Sequence, residues 1–186
     1  MKRLLIVVDY QNDFVDGALG FPGADLLDAR IAGKIRAYHD QGDQVIFTMD
    51  THLSNYLRTQ EGRNLPVEHC IEGTHGWELF GATAAARLDR DLVFEKPTFA
   101  SAKLFNYLDK ANHAASEVGR LPFSSIELVG LVSNICVVSN AMLAKAACPE
   151  VPVIVDATCT ASADDRLNAE ALDILESVQV QVVNRP

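Results

Sequence analysis

The sequence predicts an α/β fold of three layers, α/β/α, in which helices cover both faces of a doubly wound, mostly parallel sheet of about six strands. Short, continuous apolar runs recur along the chain, as expected for strands that are buried on both faces. Segments with apolar residues at helical spacing alternate with these runs, which is typical of strand–helix–strand units. With 186 residues, 48% of them hydrophobic, the chain can bury one core of ordinary size. We therefore expect a single domain over residues 1–186.

The first half of the chain predicts two strands, a helix and a long loop. LLIVV, residues Leu4–Val8, is a continuous apolar run and therefore a buried strand. A helix is predicted over Asp25–Asp40, because apolar residues recur there at helical spacing and a glycine follows soon after. QVIFTMD, residues Gln44–Asp50, is the second strand. The polar stretch Thr51–Glu78, which contains several glycines and histidines, predicts a long functional loop.

The second half of the chain continues the alternation of strands and helices. LVFEK, SIELVGLV and PVIVDA are short and rich in branched apolar residues, and an alanine-rich helical segment follows the second of them. The predicted elements are strands at Leu92–Lys96, Ser125–Val132, Pro152–Ala157 and Val180–Val183, with helices at Ala102–Asn112, Ile135–Ala147 and Asp164–Ser177.

Charge and composition exclude several kinds of partner. The formal net charge is −9, so we do not expect binding to a nucleic-acid backbone. No run of about 18 apolar residues occurs, so we expect no membrane span. The N-terminal apolar run is interrupted at Asp9, too early for a signal peptide, and we expect a cytoplasmic protein. The four cysteines form no CxxC pair and are expected to be free thiols.

Chemically capable residues stand at the carboxyl ends of four predicted strands. Asp9 follows the first strand, Asp50 ends the second, Lys96 ends the third, and the fourth leads to Cys136. Ligands of open parallel sheets bind beyond the carboxyl ends of the strands. One such residue has an ordinary explanation, but four at the same edge of the sheet predict a functional site.

Three of these residues, Asp9, Lys96 and Cys136, have the chemistry of a nucleophile with its acid–base partners. Cysteine attacks as the thiolate, and we expect the start of a helix near Cys136 to favour that form. A carboxylate accepts the proton, and an ammonium holds the charges in place. Backbone N–H groups at the strand–helix junction would stabilise a tetrahedral intermediate, so an amide is a suitable substrate. Taken singly, the alternatives are a turn-forming aspartate, a solvated lysine and a cysteine that only packs in the core.

A second group of residues has the chemistry of a metal site. Asp50 and His52 form an Asp-x-His pair, and Glu61 and His69 follow in the long loop. Carboxylates and imidazoles are ligands for zinc, iron or manganese. The alternative is that Asp50 simply ends a strand and that the histidines are ordinary loop residues.

Five motifs, in order along nearly the whole chain, resemble one family. They are LLIVVDYQNDF, MDTH, LPVEHCIEGTHGWEL, FEKPTFAS and GLVSNICV. The sequence resembles the isochorismatase-like cysteine hydrolase superfamily, which has a Rossmann-like form of the predicted fold, and within it the nicotinamidases. The resemblance implies hydrolysis of nicotinamide to nicotinate and ammonia through a thioester, a reaction of NAD salvage. It also implies that the protein forms a homo-oligomer and that its binding partner is a small-molecule amide, the substrate.

The resemblance assigns roles to the residues around the nucleophile. Asp9 would be the general base and acid, Lys96 its charge partner and Cys136 the attacking group. A cis peptide bond would join Leu131 to Val132. The N–H groups of Val132 and Cys136 would form the oxyanion hole.

The resemblance also implies a metal site and an aromatic pocket wall. The ligands would be Asp50, His52 and His69, with Glu61 as a further candidate. Zinc is the favoured ion, and iron and manganese are the alternatives. Phe14 would cover the ring of the substrate.

The sequence departs from the nicotinamidase pattern at two places. Ser133 and Asn134 stand where many nicotinamidases have Thr-Asp, and Leu65 lies in a region where many carry an aromatic residue, so the pocket wall is expected to differ. Another small amide or a carbamoyl compound therefore stays open as the substrate. A non-catalytic binding protein on the same fold is the alternative of another class, and the complete set of three catalytic residue types argues against it. A nucleotide-binding protein is disfavoured, because DYQNDF follows the first strand in place of GxGxxG.

Overall fold

Six parallel strands form one sheet within residues 1–185, the part of the chain that the computed structural model describes. They are β1 (Leu4–Val8), β2 (Gln44–Asp50), β3 (Leu92–Lys96), β4 (Ile126–Leu131), β5 (Val153–Ala161) and β6 (Gln181–Val183). Their order across the sheet is β3–β2–β1–β4–β5–β6, and each neighbouring pair is parallel. The chain thus builds one half of the sheet outward from β1 and the other outward from β4, which confirms the predicted doubly wound α/β class.

Helices cover both faces of this sheet. Alternate residues of β1 point to opposite faces, as the pleat of a strand requires: Leu4, Ile6 and Val8 enter one apolar cluster, and Leu5 and Val7 enter the other. The helices are α1 (Asn12–Val15), α2 (Asp28–Asp40), α3 (Gln60–Asn64), α4 (Gly81–Ala86), α5 (Ala102–Ser116), α6 (Val138–Ala147) and α7 (Asp165–Ser177). Buried residues of α5, α6 and α7 pack in the first cluster, and those of α2 and α4 pack in the second. This arrangement is the predicted three-layer architecture.

The two central strands, β1 and β4, approach each other closely. Val8 pairs with Gly130 in the parallel register. Gly130 has a φ angle of 112°, and a Cβ atom at this position would collide with the carbonyl oxygen of Val8. Glycine alone combines this backbone angle with this contact. The register of the strands that lead to Asp9 and Cys136 is therefore closely defined.

Some elements differ from the sequence prediction. The short helices α1, α3 and α4 lie where no helix was predicted, α3 within the predicted long loop, and β5 continues past its predicted end at Ala157 to Ala161. The beginning of α4 depends on a distant residue, since Asp28 accepts hydrogen bonds from the N–H groups of Ala82 and Thr83 at 2.7 and 2.8 Å. A helix that is capped by a residue of another element leaves little local signal in the sequence.

The connection after β4 is also more elaborate than predicted. A π-helical turn, Ser133–Val137, follows the strand and leads directly into α6. The predicted start of the helix at Ile135 lies inside this turn. Wide turns of this kind are rare and often occur at functional sites, and this one contains Cys136.

The four cysteines are free thiols with buried side chains, as the sequence predicts. Among the helices of residues 1–185, none has the length and apolar character needed to cross a membrane.

Candidate active site

Asp9, Lys96 and Cys136 meet at the carboxyl edge of the central strands. Asp9 directly follows β1, Lys96 ends β3, and Cys136 lies in the π-helical turn after β4. Lys96 Nζ lies 2.6 Å from Asp9 Oδ2 and 3.6 Å from Cys136 Sγ. The ammonium therefore contacts both the carboxylate and the thiol, and the structure brings together the three residues that the sequence singles out.

Burial and neighbouring charges shift the pKa values of all three residues in this group. Asp9 is 0% exposed, Lys96 2% and Cys136 5%. Burial, together with the Asp9 carboxylate, raises the pKa of the Cys136 thiol well above its usual range. Burial also raises the pKa of Asp9, an effect that the positive charge of Lys96 opposes. Burial acts to lower the pKa of Lys96, but the neighbouring Asp9 charge outweighs it and the pKa rises.

The shifts thus favour a neutral thiol at Cys136, beside the close contact of Asp9 with Lys96. This differs from the sequence-based expectation that the start of a helix favours the thiolate of Cys136. The reason is that burial opposes ionisation of the thiol, and the nearby carboxylate of Asp9 adds to this effect.

Strand β2 holds the carboxylate of Asp9 in place. Thr48 Oγ1 donates a hydrogen bond of 2.7 Å to Asp9 Oδ1, and the N–H of Asp9 donates to the carbonyl of Thr48 at 3.1 Å. The backbone of Asp9 has a φ angle of 44°, a conformation in which aspartate is enriched among residues other than glycine. Asp9 Oδ1 is thus fixed by Thr48, while Oδ2 contacts Lys96.

The backbone before the thiol has two unusual features. A cis peptide bond joins Leu131 to Val132, at the position that the resemblance implies. The carbonyl of Val132 then accepts hydrogen bonds from the N–H groups of Ile135 and Val137 at 3.2 and 3.1 Å, which close the turn. Both Val132 and Cys136 border the same cavity, so this backbone and the thiol face a common space.

Asn140, in α6, is a residue of the site that the sequence analysis does not identify. Its side chain is fully buried, and Nδ2 donates to the carbonyl of Cys136 at 2.8 Å and to that of Phe99 at 3.0 Å. Its Oδ1 accepts a hydrogen bond of 3.0 Å from the N–H of Ser101. Asn140 thereby connects the π-helical turn around Cys136 to the segment after β3. The signal in the sequence is an asparagine within a largely apolar helix.

A second cluster lies beside the first and consists of Asp50, His52, Glu61 and His69. One ligand atom of each residue lies within 4.8 Å of those of the others. Asp50 Oδ2 is 3.0 Å from His52 Nε2 and 3.3 Å from His69 Nε2, and Glu61 Oε1 is 3.6 Å from His52 Nε2. The structure thus brings together all four residues that the sequence marks as candidate metal ligands.

The chemistry of this cluster fits a divalent cation. His69 Nδ1 lies 2.8 Å from the carbonyl of Val67, an arrangement that places the ring proton on Nδ1 and leaves Nε2 as a ligand atom. Within residues 1–185, Glu61 Oε2 is buried without a hydrogen-bond partner, and a cation would satisfy it. Two imidazoles and two carboxylates are a suitable ligand set for zinc, iron or manganese.

A largely apolar cavity of about 290 Å³ opens onto both clusters. Phe14 and Leu65, the predicted pocket residues, border it, and the ring of Phe14 meets the ring of His69 at 61° with their centroids 5.6 Å apart. Other bordering residues lie far apart in the sequence, which is why periodicity and motifs do not reveal them. They include Leu19, Phe21, Phe99, Asn134, Ile135 and Leu167.

The protein thus has a doubly wound parallel α/β fold, and residues of the candidate site lie at the carboxyl ends of its strands. A model of the isochorismatase domain family matches residues 3–185. The chain therefore belongs to the isochorismatase family.

Two curated relatives and a solved structure are similar to this chain. An uncharacterized isochorismatase family protein, PncA, of Bacillus subtilis is 38% identical over 85 residues, which span 44% of this chain and only 45% of the relative. A nicotinamidase/pyrazinamidase of Mycobacterium tuberculosis is 26% identical over 97% of this chain and 98% of its own length. The crystal structure of a pyrazinamidase of Pyrococcus horikoshii in complex with zinc superposes with a TM-score of 0.82 over 100% of both chains at 21% identity. The similarity to this crystal structure shows a shared fold only.

Proposed function

We propose that this protein is a cysteine amidohydrolase that converts nicotinamide to nicotinate and ammonia. The observation that carries the proposal is the contact of Lys96 Nζ with both Asp9 and Cys136, at 2.6 and 3.6 Å, beside an apolar cavity. Similarity over nearly the whole chain to a nicotinamidase/pyrazinamidase supports an aromatic amide as the substrate.

In the first half-reaction, Cys136 Sγ attacks the carboxamide carbon and the thiol proton passes to Asp9. Since the pKa of the thiol is raised, we infer that proton transfer accompanies the attack. The raised pKa of Asp9 makes it a stronger base than an exposed carboxylate. Lys96 stays charged and stabilises the negative charge that develops nearby, while the N–H groups of Val132 and Cys136 are assigned to the oxygen of the tetrahedral intermediate.

The first half-reaction ends when the tetrahedral intermediate collapses and the C–N bond breaks. Asp9 returns the proton to the leaving nitrogen, ammonia departs, and an acyl thioester remains on Cys136. A water molecule then attacks the thioester carbon and gives a proton to Asp9. Cleavage of the C–S bond releases the acid, and the proton on Asp9 restores the thiol. The sum is one amide and one water converted to one acid and one ammonia.

The second cluster would contribute to substrate binding. Asp50, His52, His69 and Glu61 would hold a divalent metal ion, which supplies an electrophilic site for the ring nitrogen of a pyridine carboxamide when bound. The ring of Phe14 would pack against the substrate ring and exclude bulk water from the reacting carbonyl group.

Release of ammonia and nicotinate from nicotinamide by the purified, zinc-loaded protein tests this function. Benzamide is the matched control substrate, because it has the same shape but lacks the ring nitrogen. We expect kcat/KM for nicotinamide to exceed that for benzamide by about tenfold or more. Benzamide has no ring nitrogen, so a metal ion in the site would be left without its contact to the substrate. If a folded, metal-loaded sample hydrolyses neither compound, the assignment to nicotinamide fails. A panel of other small amides and carbamoyl compounds would then examine the alternative substrate classes.

A further inference from the structure

The buried side chain of Gln11 bonds to both backbone groups of Asp50. Gln11 Nε2 donates to the carbonyl of Asp50 at 2.9 Å, and Gln11 Oε1 accepts from the N–H of Asp50 at 2.8 Å. The same Nε2 donates to the carbonyl of Trp77 at 2.7 Å. Gln11 therefore pairs with Asp50 much as a neighbouring strand would, at the point where β2 ends. This pairing fixes the backbone from which the Asp50 carboxylate reaches the two histidines of the cluster.

Asp13 acts in a similar way on the segment that carries His69. Asp13 Oδ2 accepts a hydrogen bond of 2.7 Å from the N–H of Cys70, the residue after His69. Cys70 has a φ angle of 46°, which is a costly conformation for a residue other than glycine or asparagine. A hydrogen bond to a charged acceptor is roughly twice as strong as one between neutral groups. Asp13 thus stabilises the strained backbone that directs the ring of His69.

The segment after His69 is held from two sides. The carbonyl of Cys70 accepts from the N–H of His52 at 3.0 Å, and the N–H of Glu72 donates to the carbonyl of His52 at 2.9 Å. On the other side, Gly76 packs against the Asp13 carboxylate so closely that a Cβ atom would collide with it. Loss of the Asp13 carboxylate would therefore loosen the backbone beside both histidines.

We infer that Gln11 and Asp13 are positioning residues for the metal site, acting through Asp50 and His69 respectively. The inference rests on the metal-assisted function proposed above. Alternate residues of one short segment then serve three purposes: Asp9 is the proposed base, Gln11 places one ligand, and Asp13 places another. In this arrangement the segment after β1 determines where the metal lies relative to the proton acceptor.

The affinity of the metal-free protein for zinc tests the inference without any substrate. Asp13→Asn keeps the size of the side chain and removes its charge. The matched control is Asp28→Asn. Like Asp13, Asp28 accepts backbone N–H groups from a distant segment and packs against a glycine, here Gly81, but it lies outside the candidate metal cluster. Competition with a chromophoric chelator gives the zinc Kd, and the visible absorption of the cobalt-loaded protein reports the geometry of the ligands.

We expect Asp13→Asn to raise the zinc Kd by about tenfold or more and to alter the cobalt spectrum, as loss of outer partners of metal ligands usually does. Gln11→Met should have the same two effects. Asp28→Asn should leave both unchanged even where it lowers the melting temperature. Wild-type Kd and spectrum in both site variants would overturn the inference, as would failure of either variant to fold without metal. A wild-type protein that binds no zinc would also overturn it, whereas zinc binding without nicotinamide hydrolysis would overturn only the proposed substrate.

Discussion

The carboxylate of Asp50 lies 3.4 Å from the ammonium of Lys96, and this contact joins the candidate metal cluster to the proposed catalytic group. Asp50 Oδ1 faces Lys96, while Oδ2 lies 3.0 and 3.3 Å from the rings of His52 and His69. Burial acts to raise the pKa of Asp50, but the neighbouring rings of His52 and His69 and the positive charge of Lys96 outweigh it and hold the pKa below its usual range. A change of charge at the cluster therefore alters the electrostatic environment of Lys96, which in turn contacts Asp9.

Zinc is expected to stabilise the folded protein, because a ligand that binds only the native state raises its free energy of unfolding. The gain is about 2.7 kcal/mol when free zinc exceeds its Kd by about a hundredfold. Thermal unfolding with zinc and with a chelator measures the shift, and His52→Ala should remove most of it. His39→Ala is the matched control, because His39 pairs with Asp91 at 3.0 Å outside the cluster. An equal zinc-dependent shift in the two variants would rule out His52 as a ligand.

Replacement of Cys136 by alanine is expected to lower kcat by a factor of about a thousand or more while the fold is retained, as for nucleophiles that act as part of a catalytic set. Ammonia release measures the rate, and mass spectrometry of the quenched reaction should detect an acyl thioester only in the wild type. Cys148→Ala removes another buried thiol, one that contacts the carbonyl of Leu108 at 3.6 Å, and should retain the wild-type rate. Thioester formation in Cys136→Ala would exclude Cys136 as the nucleophile.

Replacement of Lys96 by methionine is expected to destabilise the protein by about 3–5 kcal/mol, the usual cost of leaving a buried charge without its partner. The charges left behind are those of Asp9 and Asp50, which are 0% and 3% exposed. Urea unfolding at neutral pH measures the loss. Lys103→Met, on the exposed surface of α5, removes the same charge and should change the stability little. A Lys96→Met protein as stable as the control would show that the ion pair does not hold the site together.

Acid is expected to weaken a separate ion pair between Lys34 and Asp156, whose Nζ and Oδ2 atoms lie 2.7 Å apart. Burial acts to raise the pKa of Asp156, but hydrogen bonds from Lys34 and Thr158 outweigh it and lower the pKa below its usual range. The folded state therefore holds the proton less tightly than the unfolded state. The resulting stabilisation is complete above the unfolded pKa and is lost as the pH falls through the folded value.

The free energy of unfolding should accordingly decrease below about pH 4, and Asp156→Asn should be less stable at neutral pH with a shallower dependence on acid. Urea titrations at several pH values measure both effects. Glu170→Gln removes a carboxylate from the exposed pair with Arg166 and should match the wild type. An unchanged acid dependence in Asp156→Asn would contradict this account.

The sequence predicts the strands best, because a strand covered on both faces needs an uninterrupted apolar run. Residues Leu4–Val8 are all fully buried, and their pattern is unmistakable. By contrast, the second half of β5 contains Thr158 and Thr160 and resembles a loop. The helix α1 is similarly hidden, since the N–H and side chain of Asn12 bond to the carbonyls of Glu78 and His75. Such distant partners leave no periodic signal.

For the candidate site, the sequence predicts which residues lie together but not the shifts of their pKa values. Strand ends in a parallel sheet bring Asp9, Lys96 and Cys136 to one edge, and topology alone implies this. The raised pKa of the thiol depends on how completely the surrounding chain excludes water, which no local pattern encodes. The bridging role of Asn140 is hidden for the same reason, since its partners lie in the segment Phe99–Ser101 and in the turn around Cys136.

The tight fit of Gly130 against Val8 has a consequence for how this scaffold can acquire new specificities. Asp9 and Cys136, the proposed base and nucleophile, follow the two innermost strands, and the fit of Gly130 against Val8 fixes the register of these strands. The wall of the cavity, in contrast, comes from peripheral segments such as those around Phe21 and Leu167. Substitutions in the wall are expected to change which amides the protein accepts without altering the spacing of Asp9 and Cys136. Directed evolution restricted to wall positions is therefore a direct route to amidases with altered substrate range.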